Sequence, residues 1–119
     1  MYQIMLVEDE MLVRESMAQN TNWDKFGFAP PHVFENGRQA LEQLESVLPD
    51  VVITDAMMEQ MDGLEMMEAV RNQGNECKFI VLSGFADFKF AQKAIQLGSV
   101  DYLLKPVTKK TLREVLERV

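Results

Sequence analysis

Cysteine is nearly missing from this chain of 119 residues, in which Cys77 is the single thiol. One cysteine excludes an intrachain disulfide framework. Cys77 flanks the apolar run from Phe79 to Leu82, so we expect it to pack in the core and not to act as a nucleophile. With 47% hydrophobic residues, the chain is long enough to form one domain, residues 1–119, that buries a core without disulfides or a structural metal.

Positive charge is also scarce. The sequence has 12 lysines and arginines against 19 aspartates and glutamates, and its net charge is −7. Binding to nucleic acid needs a basic patch that displaces counterions, so we do not expect this domain to bind DNA directly.

Long hydrophobic runs are absent as well, and none approaches the length of a membrane span. Residues Met1–Met5 lead directly into a strand-like run, without the basic region or small-residue cleavage site of an export signal. We therefore expect a cytoplasmic domain without a membrane segment. The single histidine, His32, follows two prolines and is expected to be solvated, without a catalytic role.

Short apolar runs alternate with helical patterns along the whole chain. Strands are predicted at residues 3–7, 28–34, 51–54, 78–82 and 101–104. Helices are predicted at residues 11–20, from a cap at Asn36 to Pro49, at 63–72, from a cap at Asp87 to Gly98, and from a cap at Thr108 onward. The predicted buried faces include Leu48 and Ile95, and Gln39 is the expected capping-box partner of Asn36.

Five strands that alternate with five helices predict an α/β fold with a parallel sheet covered on both faces. Pro30 and Pro31 cannot donate hydrogen bonds to a neighbouring strand, so the second strand is expected at an edge. The expected architecture is a doubly wound, three-layer (βα)5 sandwich with strand order 2-1-3-4-5. Its switch point lies between strands 1 and 3, where ligands bind in such sheets.

Chemically active side chains follow four of the predicted strands. Glu8 and Asp9 follow the first strand, Asp55 the third, Ser83 the fourth and Lys105 the fifth. Three clustered carboxylates repel one another unless a cation lies between them, and oxygen ligands of this kind suit Mg²⁺. The set fits phosphoryl transfer to a carboxylate, with Asp55 as the nucleophile, Lys105 neutralising phosphoryl oxygens and Ser83 donating a hydrogen bond.

The order of these motifs resembles that of response-regulator receiver domains, over essentially the whole chain. The matching motifs are Leu-Val-Glu-Asp-Glu, Ile-Thr-Asp, Met-Asp-Gly, Leu-Ser-Gly and Tyr-Leu-Leu-Lys-Pro. The run from Leu82 to Gly98 further resembles receivers fused to AraC-type helix-turn-helix transcription regulators. The resemblance implies a flavodoxin-like fold and a role in two-component signal transduction, with transcription regulation as the output.

The resemblance also implies roles for individual residues. Asp55 would accept a phosphoryl group from a sensor histidine kinase, in a self-catalysed reaction and without other enzymatic activity. Asp9 would bind Mg²⁺ directly, Glu8 through water, and Met57 through its main-chain carbonyl. Lys105 would contact the phosphoryl group.

Switching would involve Ser83 and Tyr102, the latter turning inward when the serine hydroxyl moves to the phosphate. The bond before Pro106 is expected to be cis. Phosphorylation is expected to favour a homodimer through the fourth helix, the fifth strand and the last helix. The helical pattern still runs at Val119, which suggests that an effector domain is missing from this chain. Position 59 is Glu, where the family usually has Pro. We therefore expect the loop after Asp55 to be less rigid and more negatively charged than is usual.

Three other functions fit parts of this pattern. An aspartyl-nucleophile phosphatase typically has Asp-x-Asp, whereas position 57 is Met. A nucleotide-binding module would have a glycine-rich or hydroxyl-rich loop after the first strand, whereas this loop is Glu-Asp-Glu. A receiver-like docking module that is never phosphorylated would not need all of Glu8, Asp9, Asp55, Ser83 and Lys105.

Overall fold

The computed structural model of the chain describes residues 1–58, 61–84 and 88–119. In these residues the strands are β1 (Ile4–Val7), β2 (His32–Phe34), β3 (Val51–Asp55), β4 (Lys78–Ser83) and β5 (Ser99–Leu104). The helices are α1 (Met11–Asn20), a 3-10 helix (Trp23–Phe26), α2 (Gly37–Glu42), α3 (Leu44–Val47), α4 (Gly63–Asn72), α5 (Phe88–Gln96) and α6 (Lys109–Arg118). The predicted cap at Asp87 and the predicted effect of Glu59 lie outside the described residues.

The strands form one parallel sheet in the order β2-β1-β3-β4-β5, which confirms the predicted doubly wound fold. In the register between the central strands, Val7 is the partner of Thr54, and Asp55 is the partner of Leu82. All residues of β1 and β3 are buried, as expected of parallel strands covered by helices on both faces. The carboxyl ends of β1, β3 and β4 therefore lie side by side at one edge.

Strand β2 is the predicted edge strand, but it is shorter than residues 28–34. It begins at His32, directly after the two prolines, and pairs with β1 from Met5 to Val7. Proline has no N–H group for the ladder, which explains the late start. Upstream, the only strand pairing of Phe28 within the described residues is an isolated bridge to Tyr2.

Alternate strand residues face two buried clusters, one on each side of the sheet. One cluster joins the sheet to α2, α3, α4 and α5, and Phe79 and Met67 are fully buried in it. The other joins the sheet to α1, the 3-10 helix and α6, and includes Trp23 and Leu116. Cys77 is buried in the first cluster, which confirms its expected packing role. Within the described residues, no helix is long and apolar enough to span a membrane.

The predicted helix between Asn36 and Pro49 is two helices, α2 and α3, with a break at Gln43. Leu48 ends α3 at φ +50° and is 66% exposed, so its predicted burial is wrong. Asn36 caps α2 through its side chain, but the Gln39 side chain accepts a hydrogen bond from the N–H of Glu35, not from Asn36.

The predicted burial of Ile95 is also wrong, because its side chain is 66% exposed. Its neighbour Ala94 is fully buried, and Phe90 packs on the same core. Successive helical residues point about 100° apart, so a residue next to the centre of the buried face can point to solvent. In α6, the predicted cap at Thr108 and the buried Leu112, Val115 and Leu116 are confirmed.

Candidate functional site

Three carboxylates meet at the carboxyl edge of the sheet. Glu8 and Asp9 follow β1, and Asp55 is the last residue of β3. One carboxylate oxygen from each residue lies within 4.8 Å of the other two. Glu8 is fully buried, Asp55 is 5% exposed, and Asp9 is exposed. The cluster therefore reaches from the protein interior to solvent.

Lys105, which follows β5, extends into this cluster. Its Nζ atom donates to Asp55 Oδ2 at 3.0 Å and to Glu8 Oε1 at 3.2 Å. Its main-chain N–H donates to the carbonyl of Ser83 at 2.7 Å, which ties the end of β5 to the end of β4. The Lys105–Pro106 peptide bond is cis, as the resemblance implied. One ammonium group therefore serves two buried carboxylates from different strands.

The charges of the cluster are not balanced by Lys105 alone. Burial raises the pKa of Glu8 from 4.5 to about 7, although the hydrogen bond and the charge of Lys105 oppose the rise. Burial also raises the pKa of Asp55, again against the hydrogen bond and charge of Lys105. For Lys105 itself, burial disfavours the charge, but the hydrogen bonds to Asp55 and Glu8 outweigh it and raise its pKa. A further cation would favour the ionised carboxylates.

The donor set fits a hard divalent cation. All the side-chain donors are carboxylate oxygens, which Mg²⁺ prefers. Oε2 of Glu8 is buried and has no hydrogen-bond donor in the described residues, although it lies 3.0 Å from Lys105 Nζ. Met57 lies two residues after Asp55, so its main chain continues the segment that carries the Asp55 carboxylate. The side chain of Met57 is half exposed.

Glu8 makes two further hydrogen bonds through its main chain and one through its side chain. Its N–H donates to the carbonyl of Phe34 at 3.1 Å, and its own carbonyl accepts from Arg14 Nη1 at 2.9 Å. Its Oε1 atom accepts from the N–H of Glu10 at 3.2 Å. The sequence analysis did not identify Arg14, because a side chain that binds a main-chain carbonyl has no sequence motif.

Asp55 is positioned by the chain that follows it. A Cβ atom on Gly63 would lie 2.6 Å from the carbonyl oxygen of Asp55. Real Cβ atoms do not approach so closely, so only glycine fits here without a shift of the main chain. The N–H of Gly63 also donates to the carbonyl of Ala56 at 2.9 Å. Asp62 and Glu65 form a capping box that starts α4 at this point. In the sequence, Met-Asp-Gly is one of the motifs of the receiver resemblance, but the motif alone did not predict this contact.

Ser83 and Tyr102 lie on the neighbouring strands β4 and β5. Ser83 is fully buried at the end of β4, one residue after the register partner of Asp55. Tyr102 is the register partner of Val81 on β5. Its ring centroid lies 6.3 Å from that of Phe90, and its buried hydroxyl has no hydrogen-bond partner among the described residues. The structure thus places Ser83 at the carboxyl edge of the sheet and Tyr102 two residues before the end of β5.

The fold and the carboxylate cluster define the class as a flavodoxin-like α/β domain with an acidic site at the switch point of its sheet. The family described as "Response regulator receiver domain" matches residues 4–117, so the chain belongs to the response-regulator receiver family. It is therefore a receiver domain of a two-component response regulator.

Curated relatives include the uncharacterized transcriptional regulatory protein YesN of Bacillus subtilis, 37% identical over all of this chain and 32% of its own length. The transcriptional regulatory protein HptR of Staphylococcus aureus is 30% identical over all of this chain and 46% of its own length. The chain thus spans about a third to a half of the curated relatives it matches.

Solved structures show the same fold. The REC domain of AraT, a response regulator from Geobacillus stearothermophilus, has a TM-score of 0.89 and 35% identity, over 98% of this chain and 91% of that one. The Vibrio cholerae chemotaxis protein CheY4 has a TM-score of 0.88 and 26% identity, over 100% of this chain and 98% of that one.

Proposed function

We propose that Asp55 accepts a phosphoryl group from a phosphohistidine of a sensor histidine kinase. The observation that carries this proposal is the contact of Asp55 Oδ2 with Lys105 Nζ, inside a cluster of three carboxylates at the switch point. A carboxylate held between a fixed ammonium group and a cation-binding cluster is arranged for attack on a negatively charged phosphoryl group.

In the proposed reaction, an Asp55 oxygen attacks the phosphorus atom while the bond from phosphorus to the histidine nitrogen breaks. The nitrogen keeps the bonding electron pair, and the product is an acyl phosphate on Asp55. Lys105 neutralises charge on the oxygens of the phosphoryl group, and Ser83 donates a hydrogen bond to one of them. Water later hydrolyses the acyl phosphate, so the domain's own chemistry is limited to this self-catalysed cycle.

Glu8, Asp9, Asp55 and the main-chain carbonyl of Met57 are the groups that would hold Mg²⁺. When bound, the ion would neutralise both the carboxylates and the oxygens of the phosphoryl group. The partly exposed position of the cluster leaves room for the water ligands that Mg²⁺ usually keeps.

The proposed output is a change in a larger protein. Asp55 gains negative charge on phosphorylation, and Ser83 and Tyr102 would transmit the change to α5, β5 and α6. This surface carries exposed apolar residues, namely Ile95, Val100 and Leu104, which fit a phosphorylation-dependent homodimer. The names of the relatives support a transcriptional output, which we propose to be an AraC-type DNA-binding effector in a cytoplasmic protein. If phosphorylation shifts the domain from 1:99 to 99:1 between its two conformations, it must stabilise the second conformation relative to the first by about 5.5 kcal/mol.

The test is Mg²⁺-dependent labelling by acetyl phosphate, followed by intact mass. We expect a mass gain of one phosphoryl group in the wild-type chain, and no gain in Asp55→Asn or with a chelator. Labelling of Asp55→Asn to the wild-type level, or no labelling of the wild type, would contradict the assignment.

A further inference from the structure

Arg14 contacts both ends of the acidic loop, which we define as Glu8, Asp9 and Glu10, between β1 and α1. Its Nη1 atom donates to the carbonyl of Glu8 at 2.9 Å. Its main-chain N–H donates to the carbonyl of Glu10, also at 2.9 Å, at the start of α1. One residue of the helix therefore fixes the main chain on either side of Asp9.

The guanidinium group of Arg14 binds the main chain of the acidic loop. Among the described residues, the basic side chains that form ion pairs are Lys93, Lys105 and Arg118, and Arg14 belongs to none of these pairs. Its hydrogen bond ends on a main-chain carbonyl instead. Arg14 therefore leaves the carboxylate oxygens of the loop available to other cations.

The stability of α1 does not explain the position of Arg14. It is the fourth residue of this helix, close to the N-terminus, where a positive charge opposes the helix dipole. Arg14 is also half-buried, and holding its long side chain in one conformation costs entropy. The side-chain hydrogen bond to Glu8 is the contact that can offset these costs.

The acidic loop needs a restraint, because its three consecutive carboxylates repel one another. Without one, this repulsion would turn Asp9, whose side chain is exposed, away from the other acids. In the structure, an oxygen of Asp9 lies within 4.8 Å of carboxylate oxygens of Glu8 and Asp55. With its main chain fixed on both sides, Asp9 stays close enough to share a cation with them.

We propose that Arg14 is a positioning residue of the cation site, which holds the acidic loop in the conformation that binds Mg²⁺. This inference rests on the proposed function, which brings Mg²⁺ to the carboxylate cluster. Groups that orient metal ligands without touching the metal typically change metal affinity by about 10- to 100-fold when they are removed. The effect of Arg14 should lie at the lower end of this range, because Lys105 holds the Glu8 side chain independently.

Arg14→Met tests the proposal through the sign of the change in Mg²⁺ affinity. The variant removes one positive charge near three carboxylates, so a purely electrostatic role predicts tighter Mg²⁺ binding. A positioning role predicts weaker binding, and we expect the dissociation constant measured by calorimetry to rise by about tenfold. Labelling by acetyl phosphate should require about tenfold more Mg²⁺ for half of its maximal rate, whereas the rate at saturating Mg²⁺ should stay close to that of the wild type.

Arg71→Met is the matched control. Arg71 also donates to main-chain carbonyls, those of Leu97 and Asn75, and lies over the ring of Phe79 near the start of β4, away from the carboxyl edge. Its replacement should lower the free energy of unfolding but leave Mg²⁺ affinity unchanged. Tighter or unchanged Mg²⁺ binding in Arg14→Met would overturn the proposal, and so would an equal loss of affinity in Arg71→Met.

The role of Arg14 and the phosphoacceptor role of Asp55 fail in distinguishable ways. A wild-type chain that binds Mg²⁺ but is not labelled by acetyl phosphate would remove the proposed role of Asp55, while calorimetry would still decide the role of Arg14. A wild-type chain that binds no Mg²⁺ would overturn the role of Arg14 together with the proposed metal site.

Discussion

The ammonium group of Lys105 lies 3.0 Å from the carboxylate of Asp55, although the two residues are 50 positions apart. The same ammonium group contacts Glu8, at 97 positions. Each contact joins the ends of two different strands, so the strand order of the sheet creates the site. Lys105 contacts both of these buried carboxylates, and Asp9 stays exposed beside them. Replacing Lys105 therefore tests two properties of the site independently: its affinity for cations and its stabilisation of the transferred phosphoryl group.

Lys105→Gln is expected to change these two effects in opposite directions. Without the ammonium group the cluster is more negative, so Mg²⁺ should bind about tenfold more tightly. Labelling by acetyl phosphate should slow by about 10²-fold, because one stabilising group for the phosphoryl oxygens is lost. Calorimetry measures the first effect and intact mass the second.

Lys93→Gln is the control for Lys105→Gln, since Lys93 pairs with Glu68 on the surface. It should change neither Mg²⁺ affinity nor labelling. Weaker Mg²⁺ binding in Lys105→Gln would show that the lysine organises the carboxylates and does not compete with the cation.

The stability of the metal-free domain should fall as pH rises from about 4.5 to about 7. The pKa of Glu8 is about 7 in the folded chain and 4.5 without burial, so the folded state binds more protons in this window. The free energy of unfolding then decreases with pH, by at most roughly 3 kcal/mol from Glu8. The raised pKa of Asp55 acts in the same direction. Urea unfolding in a chelator at several pH values measures the slope.

Glu8→Gln should flatten this pH dependence, because the amide does not titrate. Saturating Mg²⁺ should also flatten it, since the cation favours the ionised carboxylates. A free energy of unfolding that rises between pH 5 and pH 7 in the wild type would contradict the role given to Glu8.

The sequence predicted the elements that depend on local pattern and strand order. The strand ends that bear Asp9, Asp55 and Lys105 follow from apolar runs, and their convergence follows from the parallel order. Arg14 and the exposed Ile95 were not predictable in this way. Arg14 donates to a main-chain carbonyl, a contact that leaves no sequence motif. The exposure of Ile95 depends on how α5 is rotated against the sheet.

The small cavity lined by Lys25 and Lys109 required the structure for a different reason. Lys25 and Lys109 are far apart in sequence, and neither belongs to a recognisable motif. Their proximity arises because the 3-10 helix and α6 pack on the same face of the sheet.

Gly63→Ala is expected to reduce both stability and phosphorylation. The added Cβ atom would lie 2.6 Å from the carbonyl oxygen of Asp55, so the main chain of the phosphoacceptor must move. The free energy of unfolding should fall by roughly 1 to 3 kcal/mol, and acetyl phosphate labelling should slow. Gly74→Ala is the control. Its φ of +80° makes alanine unfavourable by about 1 kcal/mol, but nothing lies near its Cβ position, so labelling should be unchanged. Equal labelling rates in both variants would argue against the positioning role of Gly63.

Leu48→Gly is expected to stabilise the domain. Leu48 ends α3 at φ +50° and ψ +63°, a left-handed conformation that disfavours a side chain with a Cβ atom. Its side chain is 66% exposed, so truncation removes little burial. Glycine at such a position relieves the strain but increases the entropy of the unfolded chain, and the net gain should be about 0.5 kcal/mol. Leu48→Asn tolerates the same conformation with a smaller entropy cost and should gain a similar amount. Leu48→Ala is the matched control, because it removes the same side chain and keeps the strained Cβ atom. Urea unfolding of the three variants measures the differences, and equal stability of Leu48→Ala and Leu48→Gly would show that the backbone at this position is not strained.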